Sequence, residues 1–180
     1  ERFVDVNVSE PVLSIDESDE KLFITTPENT YIFNDIEKPF LQKSSILIKN
    51  IKSGILVNNN EYILTYSGEL LHNNKTISLN VENIEKISGS LYAAKKDEII
   101  EFIDGNRVNS IPGTYDSLGG DSEHLYYTYG NSIFKLNKDN SSSYIGRISS
   151  KKYSLKSPYI KKVKNGILLS NINEGFIYLK

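Results

Sequence analysis

The chain has 180 residues, of which 38% are hydrophobic, and a formal net charge of −2. This length and balance suit a soluble fold with one core or one ring of repeats, and they argue against a strongly basic nucleic-acid binder or a disordered acidic tail. The absence of cysteine excludes disulfides, thiolate catalysis and zinc sites with sulfur ligands. No apolar run approaches the roughly 20 residues of a membrane-spanning helix.

The sequence begins at Glu1 and contains no methionine, so we expect either a processed mature protein or a fragment of a longer chain. Asn7, Asn74 and Asn140 each begin an Asn-X-Ser/Thr triplet, which permits glycosylation of an exported protein. Chance could also supply such triplets in a chain this rich in Asn and Ser. We expect an extracellular or cell-surface location, with an intracellular fragment as the alternative.

A degenerate repeat of about 35 residues runs through the whole chain, and a period of this size indicates a solenoid, a propeller or an array. Each copy has a polar turn, then a short apolar strand, then a second apolar strand. The apolar motif recurs as Lys21–Ile24, Gly54–Val57, Ser90–Ala93, His124–Tyr127 and Gly166–Leu169.

In chain order, the pattern predicts up to four strands in each repeat. Those of the first two repeats are Val12–Ile15, Lys21–Ile24, Tyr31–Phe33 and Phe40–Lys43, then Ile46–Ile51, Gly54–Val57, Tyr62–Tyr66 and a fourth from Glu69–Leu71 with Ile77–Leu79. Those of the last three are Ile84–Ile87, Ser90–Ala93, Ile99–Ile103 and Arg107–Ile111, then Tyr115–Leu118, His124–Tyr127, Ile133–Leu136 and Tyr144–Ile148, then Tyr159–Val163, Gly166–Leu169 and Phe176–Leu179.

The two ends of the chain complement each other. The fifth repeat stops at Lys180 without a fourth strand, whereas Arg2–Val8 is an alternating strand that precedes the first repeat. Pairing of the N-terminal strand with the last sheet would close a ring and remove an exposed sheet edge.

This arrangement resembles the β-propeller architecture, in pattern only, since no family signature is present. The resemblance implies a single all-β domain of five short four-stranded blades, closed by the N-terminal strand. The blades would span approximately 10–43, 44–80, 81–112, 113–149, and 150–180 with 1–9. The alternatives are a β-sandwich or barrel of irregular strands, and a piece of a longer propeller.

Three carboxylates are the best enzymatic signal. The sequence has no G-x-S-x-G elbow, phosphate-binding glycine loop or H-E-x-x-H motif. Asp16, Glu85 and Asp116 lie on the predicted inner strands of three repeats. The resemblance implies a possible glycosidase, because some five-bladed propellers hydrolyse glycosides with converging carboxylates. A carbohydrate-active hydrolase is therefore an alternative function.

Two acidic segments resemble metal-binding sites. Asp121-Ser122-Glu123-His124 resembles a metal cluster, and Asp16-Glu17-Ser18-Asp19-Glu20 could hold Ca²⁺. Both fall at turns between the first and second strands, where other repeats have polar turns. We interpret them as solvated turns and expect neither a metal nor another cofactor.

The predicted loops between second and third strands are rich in asparagine. In a propeller these loops would lie together on one face, where amides could bind a glycan or a peptide. The alternative is that Asn occurs there because it tolerates left-handed turn conformations. The residues of this predicted ligand-binding face are Asn29, Asn58, Asn60, Asn131 and Asn173.

Charge is unevenly distributed. Residues 1–37 contain ten acids against Arg2 and Lys21, whereas residues 147–164 contain no acid. The basic patch consists of Arg147, Lys151, Lys152, Lys156, Lys161, Lys162 and Lys164. With Tyr153 and Tyr159 it could bind a polyanion or nucleic acid. We favour the alternative that opposite charges bring the two ends of the ring together.

Together these patterns favour a non-enzymatic binding or assembly module. Its propeller-face loops would meet a protein or glycan partner, with twelve tyrosines in the chain as possible interface anchors. Hydrolysis and polyanion binding are the alternative functions.

Overall fold

The computed structural model describes residues 8–18, 21–33, 41–43, 48–120, 123–137, 139–147, 159–163, 166–171 and 175–179. These residues form β-strands joined by turns, which confirms the all-β prediction. The chain divides into two compact units, Glu1–Val81 and Glu82–Lys180. Within the described part of the chain, no helix is long and apolar enough to cross a membrane.

The first unit contains two four-stranded antiparallel sheets, and the strands of each pair in chain order. The first sheet consists of β1 (Ser14–Ser18), β2 (Lys21–Thr25), β3 (Thr30–Phe33) and β4 (Leu41–Lys43). The second sheet consists of β5 (Ile51–Val57), β6 (Asn60–Thr65), β7 (Leu70–His72) and β8 (Lys75–Ser78).

In the second repeat, the predicted divisions between strands were wrong. The sequence pattern divides residues 46–57 into two strands, whereas the described part of this stretch, residues 48–57, has the single strand β5 from Ile51 to Val57. Asn58 and Asn59 have φ values of 48° and 63°, so the chain reverses there in a two-residue turn. The β5–β6 hairpin therefore opens the second sheet, and β7 and β8 are separate strands.

The core of the first unit lies between its two sheets. Phe23 of β2 packs with Ile51, Leu56 and Ile63 of the second sheet, and all four are buried. A Cβ on Gly54 would lie only 2.8 Å from the Phe23 ring. The lack of a side chain at this position in β5 therefore lets the Phe23 ring pack against the strand backbone.

The second unit contains one four-stranded antiparallel sheet and one seven-stranded mixed sheet. The first consists of β9 (Asn83–Ile87), β10 (Ser90–Ala94), β11 (Glu98–Ile103) and β12 (Asn106–Pro112). The second has the order β16 (Ser142–Arg147), β15 (Ser132–Leu136), β14 (Leu125–Tyr129), β13 (Ser117–Gly120), β17 (Tyr159–Val163), β18 (Gly166–Asn171) and β19 (Gly175–Leu179).

The fourth and fifth repeats, which were expected to form two separate sheets, are joined in one seven-stranded sheet among the described residues. Their first strands, β13 and β17, pair in parallel, with Gly119 opposite Ile160 and Gly120 opposite Lys161. Gly119, the first of two adjacent glycines in β13, leaves room for this approach, since a Cβ there would overlap the carbonyl oxygen of Ile160. Within each of these two repeats the strands nevertheless pair in chain order, as predicted.

The sheet portion β13–β16 is covered on both faces. Tyr127 packs with Tyr115 and Leu118, in a cluster that includes Ile99 of the preceding sheet. Its neighbour Tyr126 points to the other face, because successive residues of a strand alternate. There it packs in a cluster composed of Tyr126, Ile133, Ile160, Ile167 and Leu169. Coverage of both faces is what a blade between two other blades requires.

Several predicted features fall outside the described residues. These include residues 1–7 of the N-terminal strand, the segment 148–158 and Asn173. Among the described residues, β19 pairs with β18 alone. Ring closure and the number of blades therefore stay predictions.

Candidate functional site

Asn29, a residue of the predicted ligand-binding face, lies in the interior of the protein. Asn29 is buried in the β2–β3 connection, and its backbone N–H donates to the Thr26 hydroxyl at 3.0 Å. Its side-chain amide donates to the carboxylate of Glu10, which also accepts from the Thr26 hydroxyl at 2.5 Å. These contacts fasten the segment before β1 to the first sheet.

Asn58 and Asn60 lie at the turn between the first and second strands of their sheet, not between the second and third. The side-chain amide of Asn60 donates to the Asn58 carbonyl at 3.3 Å, and its side-chain oxygen accepts from Asn73 at 3.3 Å. Asn73 belongs to the neighbouring β7–β8 turn. These amides therefore stabilise two adjacent turns.

Asn131 and Asn173 are the other two residues of the predicted ligand-binding face. Asn131 is half-buried in the β14–β15 turn, where the N–H of its neighbour Gly130 donates to the Asp116 carboxylate at 2.6 Å. Asn173 lies outside the described residues.

Each of the three predicted catalytic carboxylates accepts a hydrogen bond from a backbone amide. The donor to Asp16 is the N–H of Leu56 at 2.8 Å, and the donor to Asp116 is Gly130. Glu85, within β9, accepts from the N–H of Lys86 at 3.2 Å. Asp16 thus links β1 to β5, and Asp116 anchors a turn.

Three of the seven residues of the basic patch lie in the described part of the chain. Arg147 is exposed at the end of β16, and the backbones of Lys161 and Lys162 belong to β17. The other four lysines of the patch lie outside the described residues: Lys151, Lys152, Lys156 and Lys164. Polyanion binding by this patch stays a prediction.

A polar cavity of about 560 Å³ lies in the second unit. Its lining residues are Ser88, Glu123, His124, Lys135, Leu136 and Asn137. They come from the β9–β10 turn, the segment before β14 and the end of β15. These three segments lie at the same end of the strands. The volume is within the range of about 300–1,000 Å³ of small-ligand pockets, and the lining suits a hydrogen-bonding ligand.

Two local features build this cavity. A Cβ on Gly120 would overlap the His124 carbonyl oxygen and lie 3.1 Å from the side chain of Ile87, so a glycine at this position lets the chain return closely before β14. Asn137 donates from its side-chain nitrogen to the hydroxyls of Ser141 and Ser143, at 3.0 and 2.8 Å. These donations leave its side-chain oxygen as the acceptor it can offer to a ligand.

The charges that line the cavity are mixed. Glu123 supplies a carboxylate and Lys135 an ammonium group, while the His124 ring lies 6.2 Å from that of Tyr126 at an angle of 49°. A ligand with both donors and acceptors matches this lining better than a simple ion does.

Sequence reasoning expected the site at the turns between second and third strands, which lie at the other end of the strands from this cavity. It identified Glu123 and His124 as polar turn residues, but it gave no role to Ser88, Lys135 or Asn137. These three residues are far apart in sequence, and only the alignment of the repeats could have indicated that they lie close together. That alignment places the turn between the first and second strands and the turn between the third and fourth strands at the same end of the strands.

No protein-family model matches the chain, and no curated protein matches it. Solved structures do resemble it. The extracellular domain of a candidate one-component system from B. thetaiotaomicron matches with a TM-score of 0.64 and 15% identity, over 99% of this chain and 28% of that chain.

Two further structures illustrate the range of matches. Virginiamycin B lyase from Staphylococcus aureus has a TM-score of 0.57 and 13% identity, over 97% of this chain and 71% of that one. PorZ, a surface component of the type-IX secretion system of Porphyromonas gingivalis, has a TM-score of 0.56 and 9% identity, over 94% and 28%. At these identities the likeness shows the fold alone, which is of the propeller type.

Proposed function

We propose that this chain is a non-enzymatic binding or assembly module that presents turn residues to a protein or glycan partner. The cavity carries the proposal, because polar side chains from three separate segments converge on one volume of about 560 Å³. The lining segments are attached to hydrogen-bonded strands, so a ligand would meet a preformed site.

The similar structures support an extracellular or surface location. One is an extracellular domain and another is a surface component of a secretion system. This chain spans 28% of the length of each of those two, so their roles as whole proteins come to it only as proposals. The fold also occurs in a lyase, and the case for binding therefore rests on the cavity.

Binding is tested by titrating the purified chain against immobilised saccharide and peptide panels. The Lys135→Ala variant removes a cavity donor and should weaken binding about tenfold or more. Lys96→Ala is the matched control, since Lys96 is exposed on the β10–β11 turn, at the other end of the strands from the cavity. Binding that Lys135→Ala leaves unchanged, or that both variants reduce equally, would contradict the proposal.

The same module is proposed to be a five-bladed ring closed by residues 2–8. Among the described residues, the last predicted blade has the three strands β17–β19, one fewer than each of the other predicted blades, which supports the proposal. Deletion of residues 1–8 should lower the unfolding temperature, and a peptide of residues 2–8 should restore it. A scrambled peptide of the same composition is the control, and equal rescue by both peptides would overturn closure.

A further inference from the structure

Two glycosylation triplets lie within the described residues, and they occupy equivalent turns. Asn74 begins one in the β7–β8 turn, and Asn140 begins the other in the β15–β16 turn. In each case the following strand lies at the edge of its sheet. Both asparagines are exposed, with positive φ values of 70° and 64°. Position, exposure and backbone conformation therefore do not distinguish them.

The Asn140 triplet is held by hydrogen bonds at both of its essential residues. Asn109 of β12 donates from its side-chain nitrogen to the side-chain oxygen of Asn140 at 3.1 Å. The Tyr127 hydroxyl donates to the Ser142 hydroxyl at 2.8 Å. Between them, Ser141 donates to the carboxylate of Asp139 from its N–H at 3.0 Å and from its hydroxyl at 2.6 Å, which lowers the pKa of Asp139.

The Asn74 triplet lacks such contacts. Among the described residues, neither the Asn74 side chain nor the Thr76 hydroxyl has a hydrogen-bond partner. The preceding Asn73 makes the contacts of this turn, to Asn60 at 3.3 Å and to the His72 ring at 3.2 Å. Asn74, Lys75 and Thr76 are all exposed.

We infer that the folded chain accepts an N-glycan at Asn74 in preference to Asn140. The donor is a lipid-linked oligosaccharide diphosphate. The side-chain nitrogen of Asn74 forms a bond to the anomeric carbon as the bond from that carbon to the diphosphate oxygen breaks. The lipid diphosphate leaves with the electron pair, and one amide proton passes to a base of the transferase.

The contacts at Asn140 oppose the same reaction there. The motif requires both the amide and the hydroxyl of the third residue, so a transferase needs access to both groups. Access at Asn140 breaks the bonds from Asn109 and Tyr127, whereas access at Asn74 breaks none among the described residues. Two such bonds predict a rate at Asn74 about tenfold or more above that at Asn140.

The test uses the folded, purified chain, a single-subunit eukaryotic oligosaccharyltransferase and a lipid-linked oligosaccharide. Glycopeptide mass spectrometry measures the initial rate at each site. Synthetic peptides of residues 71–79 and 137–145 give the intrinsic rates, which corrects for Thr against Ser in the third position. We expect the corrected rate to favour Asn74 by about tenfold or more.

The variant Asn109→Ala tests the cause. It should raise the rate at Asn140 several-fold and leave the rate at Asn74 unchanged, because it removes the contact to Asn140 and otherwise only the acceptor of the adjacent Ser110 N–H at 2.8 Å. Asn106→Ala is the control, since Asn106 lies on the same strand and donates to the Asp104 carbonyl instead. Equal corrected rates, a faster Asn140, no modification of the folded chain, or no response to Asn109→Ala would each overturn the inference.

Discussion

Gly119 of β13 lies directly opposite Ile160 of β17, at the point where two strands from successive repeats pair in parallel. A Cβ on Gly119 would lie 2.6 Å from the Cβ of Ile160 and would overlap its carbonyl oxygen. Ile160 is fully buried, in a cluster with Tyr126 and Ile133. One glycine therefore permits both the strand pairing and the core next to it.

The substitution Gly119→Ala should destabilise the chain by about 2–3 kcal/mol, because the added methyl has to displace backbone atoms of β17. Urea unfolding of the purified variant measures the loss. Gly146→Ala is the matched control, since Gly146 is also a strand glycine but a Cβ there meets nothing within 4 Å. A control as damaging as Gly119→Ala would contradict the steric explanation.

The substitution Asp16→Ala should cost about 1–2 kcal/mol of unfolding free energy, because it removes the carboxylate that accepts the hydrogen bond from the buried Leu56 N–H. Asp16→Asn keeps an acceptor oxygen and should cost less. Hydrogen exchange provides a direct reading, since the Leu56 amide should exchange faster in Asp16→Ala. Unchanged exchange at Leu56 would show that this hydrogen bond does not link β1 to β5.

Acid should remove a stabilising contribution from Glu98. Its carboxylate accepts from the Ser110 hydroxyl at 2.6 Å and pairs with Arg107 at 2.8 Å and Lys95 at 3.3 Å. The hydrogen bond from Ser110 is the largest cause that lowers the pKa of Glu98 below its usual 4.5; burial opposes it, and Lys95 and Arg107 lower it further.

Because the folded pKa of Glu98 is lowered, its contribution is present above about pH 4.5 and is lost as the pH falls through the folded value. Glu98→Gln should flatten this part of the stability profile. Ser110→Ala should raise the pKa of Glu98 more than Arg107→Ala does, since the Arg107 side chain is 51% exposed and its charge is screened. Carboxyl NMR titration measures both pKa values, and the reverse order would refute this assignment.

Alkali should destabilise the second unit through two tyrosines. Burial, with the charge of Tyr127, raises the pKa of Tyr115 to about 12. Burial, with the charge and hydrogen bond of Glu101, raises the pKa of Tyr92 to about 12. Because both folded values are raised, the contribution is present below the usual value of 10.0 and is lost as the pH rises through about 12.

The substitution Glu101→Gln should lower the pKa of Tyr92 and leave that of Tyr115 unchanged, because Glu101 acts on Tyr92 alone of the two. NMR titration of the tyrosine ring resonances, assigned with Tyr→Phe variants, follows the ionisation of Tyr92 and Tyr115 separately. A shift at Tyr115 in the same variant would indicate a general loosening of the unit and not a local charge effect.

Local pattern was enough to predict most strands. The third repeat illustrates this, since the predicted strands Ile84–Ile87 and Arg107–Ile111 lie within β9 and β12, and the chain turns between β11 and β12 at Asp104 and Gly105, which both have positive φ. The second repeat failed because the pattern placed a turn at Lys52 and Ser53, which lie inside β5. The structure forms it at Asn58 and Asn59.

Side-chain partners were not predictable in the same way. Asn29 has the composition of an exposed turn residue, yet it is buried because Glu10, nineteen positions earlier, accepts its amide. Likewise, Asp16 reads as an available carboxylate until β5 supplies the N–H of Leu56. Such pairings depend on how two strands approach each other, which periodicity does not encode.

The sequence by itself determined the all-β class, the order of four strands within a repeat and the alternation that places Tyr126 and Tyr127 on opposite faces. These follow from strand periodicity and turn chemistry, which act over a few residues. Only the tertiary structure decided the pairing of β13 with β17, the cavity at the edge of the second unit and the difference between Asn74 and Asn140. Each of these depends on contacts between residues distant in sequence, where the space left by a glycine or the reach of one side chain decides the outcome.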